Sequence, residues 1–260
     1  MLGVILGSAF SSARLGGVDL EPVTVETDYG PACLHRYSGS RLGWVLFRHG
    51  LPHRYLPHQV PHRAHLLALH QVGCRAMLVT SSVGILDPAL PLFQPMLVED
   101  LLMPENRMAD GSPCTLHVDP KPAQAHLVLE EGLFSTYLNH QLEALMGEVG
   151  YGPPPRVIFS YVPGPRTKTR AENRYWRASG AQVNSMTLAP EVVLANELGL
   201  PTAGLVVGHK YSCPDVSLSL PPEKLEATLE ESREALERLT LAFLERATAP
   251  AFGNGHFSFA

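Results

Sequence analysis

The chain contains 260 residues, of which 45% are hydrophobic and 17% are charged, and this balance predicts a folded protein rather than a disordered chain. Its 20 basic and 25 acidic residues give a formal net charge of −5, which argues against a general nucleic-acid-binding surface. No apolar segment reaches the ~18 residues that predict a membrane-spanning helix, so neither a nucleic acid nor a membrane is an expected partner.

In chain order, the first predicted element is a short apolar strand, residues 1–7, which lacks the basic lead of a signal peptide. A helix is predicted over residues 61–73, because apolar residues recur there at helical spacing and Gly73 can end it. A buried strand follows at residues 76–80. The four cysteines form no C-x-x-C pair, which favours a cytoplasmic protein with reduced thiols and no cysteine metal cage.

The same alternation continues to the end of the chain. Helices are predicted at residues 133–147, 169–180, 190–199 and 221–247, and strands at residues 156–161, 182–186 and 203–207. Alternation of this kind is typical of an α/β fold, here a single-domain mixed sheet flanked by helices. We expect the domain to span residues 1–248 and the tail, residues 249–260, to be loosely held or to dock on a neighbour.

Polar side chains follow several of the strands, at the end of the sheet where α/β proteins bind ligands. Hydroxyl groups, backbone N–H groups and an arginine are donors that suit an anion, so these strand ends predict an anion site. The residues concerned are Ser8, Arg48, His49, Ser81, Ser82 and Thr187.

Six of the twelve histidines lie between His49 and His70, and two pairs among them have the i,i+4 spacing of zinc ligands on a helix. Pro52, Pro57 and Pro61 oppose a continuous helix there, and no H-E-x-x-H motif is present. A metal site is therefore the less favoured interpretation.

Five motifs occur in order along the chain: ILGSA at residues 5–9, RHGLPH at 48–53, VTSSVG at 79–84, GPRTKTRAE at 164–172 and MTLAPEVVLA at 186–195. Together they resemble the motifs of the trimeric purine nucleoside phosphorylase and methylthioadenosine phosphorylase family. Residues 5–9 (ILGSA) resemble its G-[ST]-G phosphate loop, residues 48–53 (RHGLPH) its R-H-G-R-x-H motif, and residues 79–84 (VTSSVG) its V-T-T-A-C-G motif. Residues 164–172 (GPRTKTRAE) resemble G-P-R-F-S-S-R-A-E, and residues 186–195 (MTLAPEVVLA) resemble M-T-x-x-P-E-V-V-L-A. The resemblance implies a nucleoside-phosphorylase-like fold and a homotrimer that acts on a nucleoside and inorganic phosphate, with no metal or organic cofactor.

The resemblance also implies phosphorolysis, in which phosphate attacks the anomeric carbon of a ribosyl group and a purine leaves. Its phosphate-binding positions match the six strand-end residues named above. The departures are Ala9, which replaces a glycine, and Leu51, which replaces an arginine. If that arginine contacted phosphate, its loss would cost ~1.5–3 kcal/mol of anion binding unless Arg54 compensates.

The sugar positions are partly retained. Met186 matches the methionine that packs on the ribose. Residues 217–220 (SLSL), near the expected 5′ pocket, contain no histidine, which fits a 5′-methylthio group better than a 5′-hydroxyl.

The base positions are not retained. Thr167 stands where the family has an aromatic that stacks on the purine, and Lys168 is its neighbour. Residues 209–212 (HKYS) stand where the methylthioadenosine branch has T-D-Y-D, so Tyr211 is kept while Lys210 and Ser212 replace aspartates. A lysine donates hydrogen bonds but accepts none, so it cannot bind the amino group of adenine as an aspartate does. We expect a base other than adenine, with Lys210 as the candidate catalytic acid.

Three other interpretations stay open at this point. In the first, both lysines are solvated surface charges and the base pocket is built by other residues. The chain could instead be a non-catalytic nucleoside- or phosphate-binding protein that has lost the acid for the leaving group. It could also be a hydrolase in which water replaces phosphate, an alternative supported only by Leu51.

Overall fold

The computed structural model describes residues 1–121, 124–213 and 225–258. Their strands are β1 (Leu2–Leu6), β2 (Arg14–Leu15), β3 (Val18–Asp19), β4 (Glu21–Val25), β5 (Ala32–Ser38), β6 (Leu42–Phe47), β7 (Ala76–Ile85), β8 (Pro95–Leu102), β9 (His126–Val128), β10 (Arg156–Tyr161), β11 (Val183–Ser185), β12 (Thr202–Tyr211) and β13 (Gly255–Phe257). The helices are α1 (His62–Gln71), α2 (Thr136–Glu148), α3 (Arg170–Ala178), α4 (Ala189–Glu197) and α5 (Leu225–Arg246), with a short 3-10 helix at Pro57–Gln59.

Nine strands form one mixed sheet in the order β11-β10-β8-β12-β7-β1-β6-β5-β4. The central strands β6, β1, β7 and β12 are parallel to their neighbours in that run, so their carboxyl ends meet at one edge. Strand β7 is long enough for its last residues to pair also with β11, which joins the far end of the sheet back to its centre. This contact brings residues that are remote in sequence to the carboxyl ends of the central strands.

Hydrophobic side chains alternate along the central strands between two cores. Ile5 of β1 packs on one face with residues of α1 and α4, such as Leu66 and Val192. Its neighbour Val4 packs on the other face with residues of α2 and α5, such as Leu142. The sheet is therefore covered by helices on both faces, and the predicted fold class, a mixed sheet flanked by helices, is confirmed.

Two strands extend beyond their predicted ends. Ser81 and Ser82, expected in a loop after the strand at residues 76–80, lie within β7, and β12 continues to Tyr211 instead of ending at residue 207. The reason is pairing: β7 and β12 pair in parallel from Met77 to Ile85, with one register shift at His209, after which Lys210 pairs with Gly84. Because pairing partners come from distant sequence, strand ends of this kind are poorly marked by local composition.

The tail was expected to be loosely held or to dock on a neighbour; its described part, residues 249–258, is attached to the body of this chain. Strand β13 pairs antiparallel with β9. Just before it, the Asn254 side chain accepts hydrogen bonds from the backbone N–H groups of Glu130 and Glu131, both at 2.9 Å, and donates one to the carbonyl of Gly132 at 2.6 Å. These contacts fix the tail to the loop that leads into α2.

Two further observations concern membrane-spanning helices and the state of the cysteines. None of the helices in the described ranges has the length and hydropathy that crossing a membrane requires. All four cysteines are free; Cys33 is exposed and the other three are buried.

Candidate active site at the strand ends

The first part of the site is a junction between β1, β6 and β7. Leu6 pairs with Phe47, so the chain leaves β1 at Gly7 beside the point where it leaves β6 at Arg48. The backbone N–H of Gly7 donates to Thr80 Oγ1 at 3.2 Å, and that hydroxyl donates to the carbonyl of Ile5 at 3.1 Å. Ser8, which follows Gly7, is exposed at this edge.

Arg48 is almost completely buried, at 1% exposed, and it forms an ion pair with Glu191, which is 0% exposed. Its Nε donates to Glu191 Oε1, and its Nη2 donates to Oε2 at 2.9 Å and to the carbonyl oxygen of Thr80 at 2.9 Å. Burial alone would raise the pKa of the Glu191 carboxyl, but the charge of Arg48 and the contact with His62 outweigh burial and lower that pKa. A bidentate arginine–carboxylate pair of this kind fixes the plane of the guanidinium.

Glu191 is the functional residue that sequence reasoning missed. It was recognised only as a letter of the motif at residues 186–195, although a carboxylate in the first turn of a helix behind a proline is a usable signal. His62 of α1 also faces the carboxylate, with Nδ1 3.5 Å from Oε1, the oxygen that accepts from Arg48 Nε.

Several hydroxyl groups lie near the place where β7 pairs with β11. Ser81 of β7 and Ser185 of β11 have their Oγ atoms 3.3 Å apart, and each Oγ lies 3.3 Å from the carbonyl oxygen of Ser82. The Ser82 hydroxyl is buried and has no hydrogen-bond partner among the described residues. Thr187, two residues beyond β11, is 5% exposed. Ser185 was not singled out in the sequence.

His49 is oriented by its own loop. Its Nδ1 lies 2.9 Å from the carbonyl oxygen of Tyr55, which can only accept, so Nδ1 carries the proton. Burial and the charge of Arg48 lower the pKa of His49 to about 4, so the ring is neutral near pH 7 and Nε2 is an acceptor. The expectation that His49 is a further donor to an anion is therefore revised.

Leu51 stands where the family motif has an arginine, and Arg54 does not supply a substitute charge at this point. Leu51 packs against the core on the α2 and α5 face of the sheet. The guanidinium carbon of Arg54 stands 4.6 Å over the centre of the Tyr55 ring, and Arg54 is exposed. The suggestion that Arg54 compensates for Leu51 is not supported by this orientation.

Two lysines come together at the other end of the site. Lys168 precedes α3, whose first turn is fixed by a reciprocal capping pair between Thr169 and Glu172. Burial, and then the charge of Lys210, lower the pKa of Lys168 to about 8, and burial lowers the pKa of Lys210. Neither ammonium group forms an ion pair with a described residue. Glu172, the nearby carboxylate, is paired with Arg166 at 2.7 Å.

Gly84 of β7 is the point around which the second half of the site is arranged. It pairs with Lys210 of β12 and with Asn184 of β11. A Cβ at this position would lie 2.2 Å from Ser212 Oγ and 3.1 Å from Asn184 Oδ1, so glycine is required by the close approach of these side chains. Asn184 Oδ1 is buried without a hydrogen-bond partner among the described residues.

The remaining predicted residues are placed as follows. Met186 packs closely on Gly164, where an added Cβ would meet Met186 Sδ at 2.6 Å. Thr167 is exposed. The hydroxyl of Tyr211 donates to the carbonyl of Leu90 at 3.0 Å, so it is already bonded to a loop. Residues 217–220, on which the 5′-group expectation rests, lie outside the described residues.

Comparisons with known proteins agree with the family resemblance. The sequence model of the phosphorylase superfamily matches residues 2–245. The S-methyl-5′-thioadenosine phosphorylase of Mycolicibacterium smegmatis is 33% identical over 255 residues, covering 91% of this chain and 92% of its own. A protein of Thermococcus kodakarensis named as a probable 6-oxopurine nucleoside phosphorylase is 30% identical over 214 residues, covering 79% and 75%. The methylthioadenosine phosphorylase of Schistosoma mansoni, solved with adenine, superposes with a TM-score of 0.80 at 23% identity, covering 92% of this chain and 89% of that chain.

Proposed function

This chain belongs to the phosphorylase superfamily, and on that premise we propose that it catalyses phosphorolysis of a purine nucleoside, with a 5′-methylthio nucleoside as the substrate and a base other than adenine. An oxygen of inorganic phosphate attacks the anomeric carbon, the bond from that carbon to the base nitrogen breaks, and the electron pair leaves with the base. The products are the free base and (5-methylthio)ribose 1-phosphate.

The observation that carries the proposal is that β1, β6 and β7 are adjacent and parallel, so that the donor-bearing residues at their carboxyl ends lie along one edge of the sheet. Ser8 and its backbone, the Arg48 guanidinium, and the hydroxyls of Ser81 and Ser82 belong to strands that are adjacent and parallel. Thr187 joins them through β11, which pairs with the end of β7. Fixed donors of this kind hold an anion and orient it toward a reacting carbon without reorganisation.

His49 gives the phosphate site a second type of contact. Because its Nδ1–H is bonded to Tyr55 and its pKa is lowered to about 4, its Nε2 accepts a hydrogen bond at neutral pH. Monohydrogen phosphate has one P–OH group that can donate to such an acceptor, whereas sulfate has none near neutral pH. We propose that His49 binds this hydroxyl.

The two lysines support a substrate whose base presents hydrogen-bond acceptors. Lys168 and Lys210 lie close enough for the charge of Lys210 to lower the pKa of Lys168, and both are half-buried. Each offers N–H donors and no acceptor, so they fit the carbonyl oxygen of a 6-oxopurine and the negative charge that develops on a departing base. We assign Lys210 as the group that donates to the leaving base, with Lys168, Ser212 and Asn184 completing that side of the pocket.

Met186 supports the assignment of the sugar position. It follows β11 directly, between the hydroxyl cluster and Gly164, and it is half-buried, so its thioether can pack on a ribosyl group. The protein is proposed to work in the cytoplasm as a homotrimer, with inorganic phosphate as co-substrate and without a metal or organic cofactor.

The test is a steady-state assay of free base released from methylthioinosine and from methylthioadenosine, with and without phosphate. The proposal predicts release that saturates with phosphate and a higher kcat/KM for methylthioinosine. Base release that is independent of phosphate supports the hydrolase alternative, and binding without release supports the non-catalytic alternative. Faster cleavage of methylthioadenosine refutes the assignment of the lysines.

A further inference from the structure

Arg48 is unusual for an anion-binding arginine because most of its hydrogen-bonding capacity is already used. A guanidinium has five N–H donors. Three of them are committed: Nε–H and one Nη2–H to Glu191, and the other Nη2–H to the carbonyl of Thr80. Among the described residues, none accepts a hydrogen bond from Nη1, so two N–H donors on that nitrogen are left for a ligand.

The position of Nη1 is defined by the loop that precedes Ser8. A Cβ built on Gly7 would lie 3.0 Å from Arg48 Nη1 and 3.3 Å from the Thr80 carbonyl oxygen. Nη1 therefore lies directly over the backbone at Gly7, beside the loop that supplies Ser8. This edge of the guanidinium therefore lies beside the strand end at which phosphate is proposed to bind.

We propose that Glu191 is a positioning residue for phosphorolysis: its carboxylate holds the guanidinium of Arg48 so that the Nη1 edge alone is presented to phosphate. The inference rests on the proposed function, because it concerns the phosphate of that same site. It assigns to Glu191 no contact with the substrate.

Glu191 is itself fixed well enough for this role. It lies in the first turn of α4, where the helix dipole favours a carboxylate. Helix α1 packs against α4 and places His62 Nδ1 3.5 Å from Oε1. Because the buried carboxylate accepts from both Nε and Nη2 of Arg48, the arginine side chain is held in a single orientation, and the cost of ordering it is met during folding rather than when phosphate binds.

The first test is Glu191→Gln, which keeps the size of the side chain but leaves one acceptor oxygen and places an amide NH2 against the guanidinium. We expect the KM for phosphate to rise about ten-fold or more. The Kd of the nucleoside, measured without phosphate, should stay within roughly two-fold of the wild-type value. A role in stability alone would not separate these two constants. The matched control is Glu143→Gln, which changes a partly exposed carboxylate 2.9 Å from Arg156, and both constants should be unchanged in it.

The second variant, Gly7→Ala, decides the matter if Glu191→Gln does not fold. The backbone of Gly7 lies outside the left-handed region, so alanine can adopt it, and the Arg48–Glu191 pair is left intact. Its methyl group would press on Nη1, and we again expect a raised KM for phosphate with an unchanged Kd for nucleoside.

The two proposals fail in different ways. A wild-type protein that releases base without phosphate refutes the proposed function. A wild-type phosphorylase whose KM for phosphate is unmoved by Gly7→Ala, or by a folded Glu191→Gln, refutes the positioning role and leaves the proposed function standing.

Discussion

Lys210 of β12 and Asn184 of β11 pair with the same residue of β7, Gly84, from its two sides. They are remote in sequence, yet this arrangement places an ammonium group and an unpartnered amide oxygen at one strand end. The hydroxyl of Ser212 approaches the same glycine. In the function we propose, this strand end is part of the base pocket, and a lysine donor there distinguishes the chain from the T-D-Y-D motif.

The base preference should follow the charge at this position. We expect the double substitution Lys210→Asp and Ser212→Asp to restore acceptors for an amino group, and to raise the ratio of kcat/KM for methylthioadenosine to that for methylthioinosine by at least about ten-fold. Steady-state assays with both nucleosides measure the ratio. The exposed Lys121 provides the control, because Lys121→Asp makes a similar charge change and should leave the ratio unaltered. An unaltered ratio in the double variant would contradict the assignment.

The rate of the reaction should decline in alkaline solution. Burial and Lys210 lower the pKa of Lys168 to about 8, so its cationic form, which donates to the base, is lost as the pH rises through that value. We expect kcat/KM for the nucleoside to fall above about pH 8, and to fall later or not at all in Lys168→Arg, because arginine stays protonated. A pH profile of both proteins checks this, and coincident profiles would remove Lys168 from the mechanism.

Lys168 should also lower the stability of the fold. Its pKa is about 8 in the folded chain against 10.5 in an ordinary lysine, so the unfolded chain binds the proton more tightly. The loss of folding stability caused by the buried ammonium is therefore complete below pH 8, and it is relieved as the pH rises toward 10.5. We therefore expect Lys168→Met to raise the Tm at pH 7, with a smaller gain at pH 10, by calorimetry. An equal gain in Tm at pH 7 and at pH 10 would mean that the gain comes from packing and not from charge.

Removing one partner of the buried ion pair between Arg48 and Glu191 should lower the free energy of unfolding. In Arg48→Met the Glu191 carboxylate is left buried without its counter-charge, and we expect a loss of about 3–5 kcal/mol in the free energy of unfolding. The double variant Arg48→Met, Glu191→Gln removes both charges and should be more stable than Arg48→Met alone. Urea unfolding of the three proteins measures the difference. A double variant that is less stable than the single one would show that burial of the carboxylate is not the cause.

Much of the fold could be predicted from the sequence where local pattern decides the structure. The strand predicted at residues 156–161 is β10, with the same bounds, and the helix predicted at residues 61–73 is α1, which ends just before Gly73. The helix predicted at residues 169–180 is α3 (Arg170–Ala178), whose start is fixed locally by the Thr169–Glu172 capping pair.

Features that depend on distant partners could not be predicted in the same way. The ends of β7 and β12 are set by their pairing with each other, and β7 also pairs with β11. Local composition carries little of that information. Arg48 and Glu191 are 143 residues apart, and nothing near either residue indicates the other. The tail pairs with β9 through β13, and Asn254 bonds the loop at residues 130–132; neither contact has a local signal in the sequence.

The most direct measurement of the central claim, that the strand ends hold inorganic phosphate as the nucleophile, is the fate of oxygen during turnover. The reaction is run with unlabelled phosphate in water enriched in the heavy isotope of oxygen, and the sugar product is examined by mass spectrometry. The account predicts a sugar 1-phosphate in which no heavy oxygen is attached to the anomeric carbon. A free sugar that carries heavy oxygen at that carbon would contradict it, because water and not phosphate would then be the nucleophile.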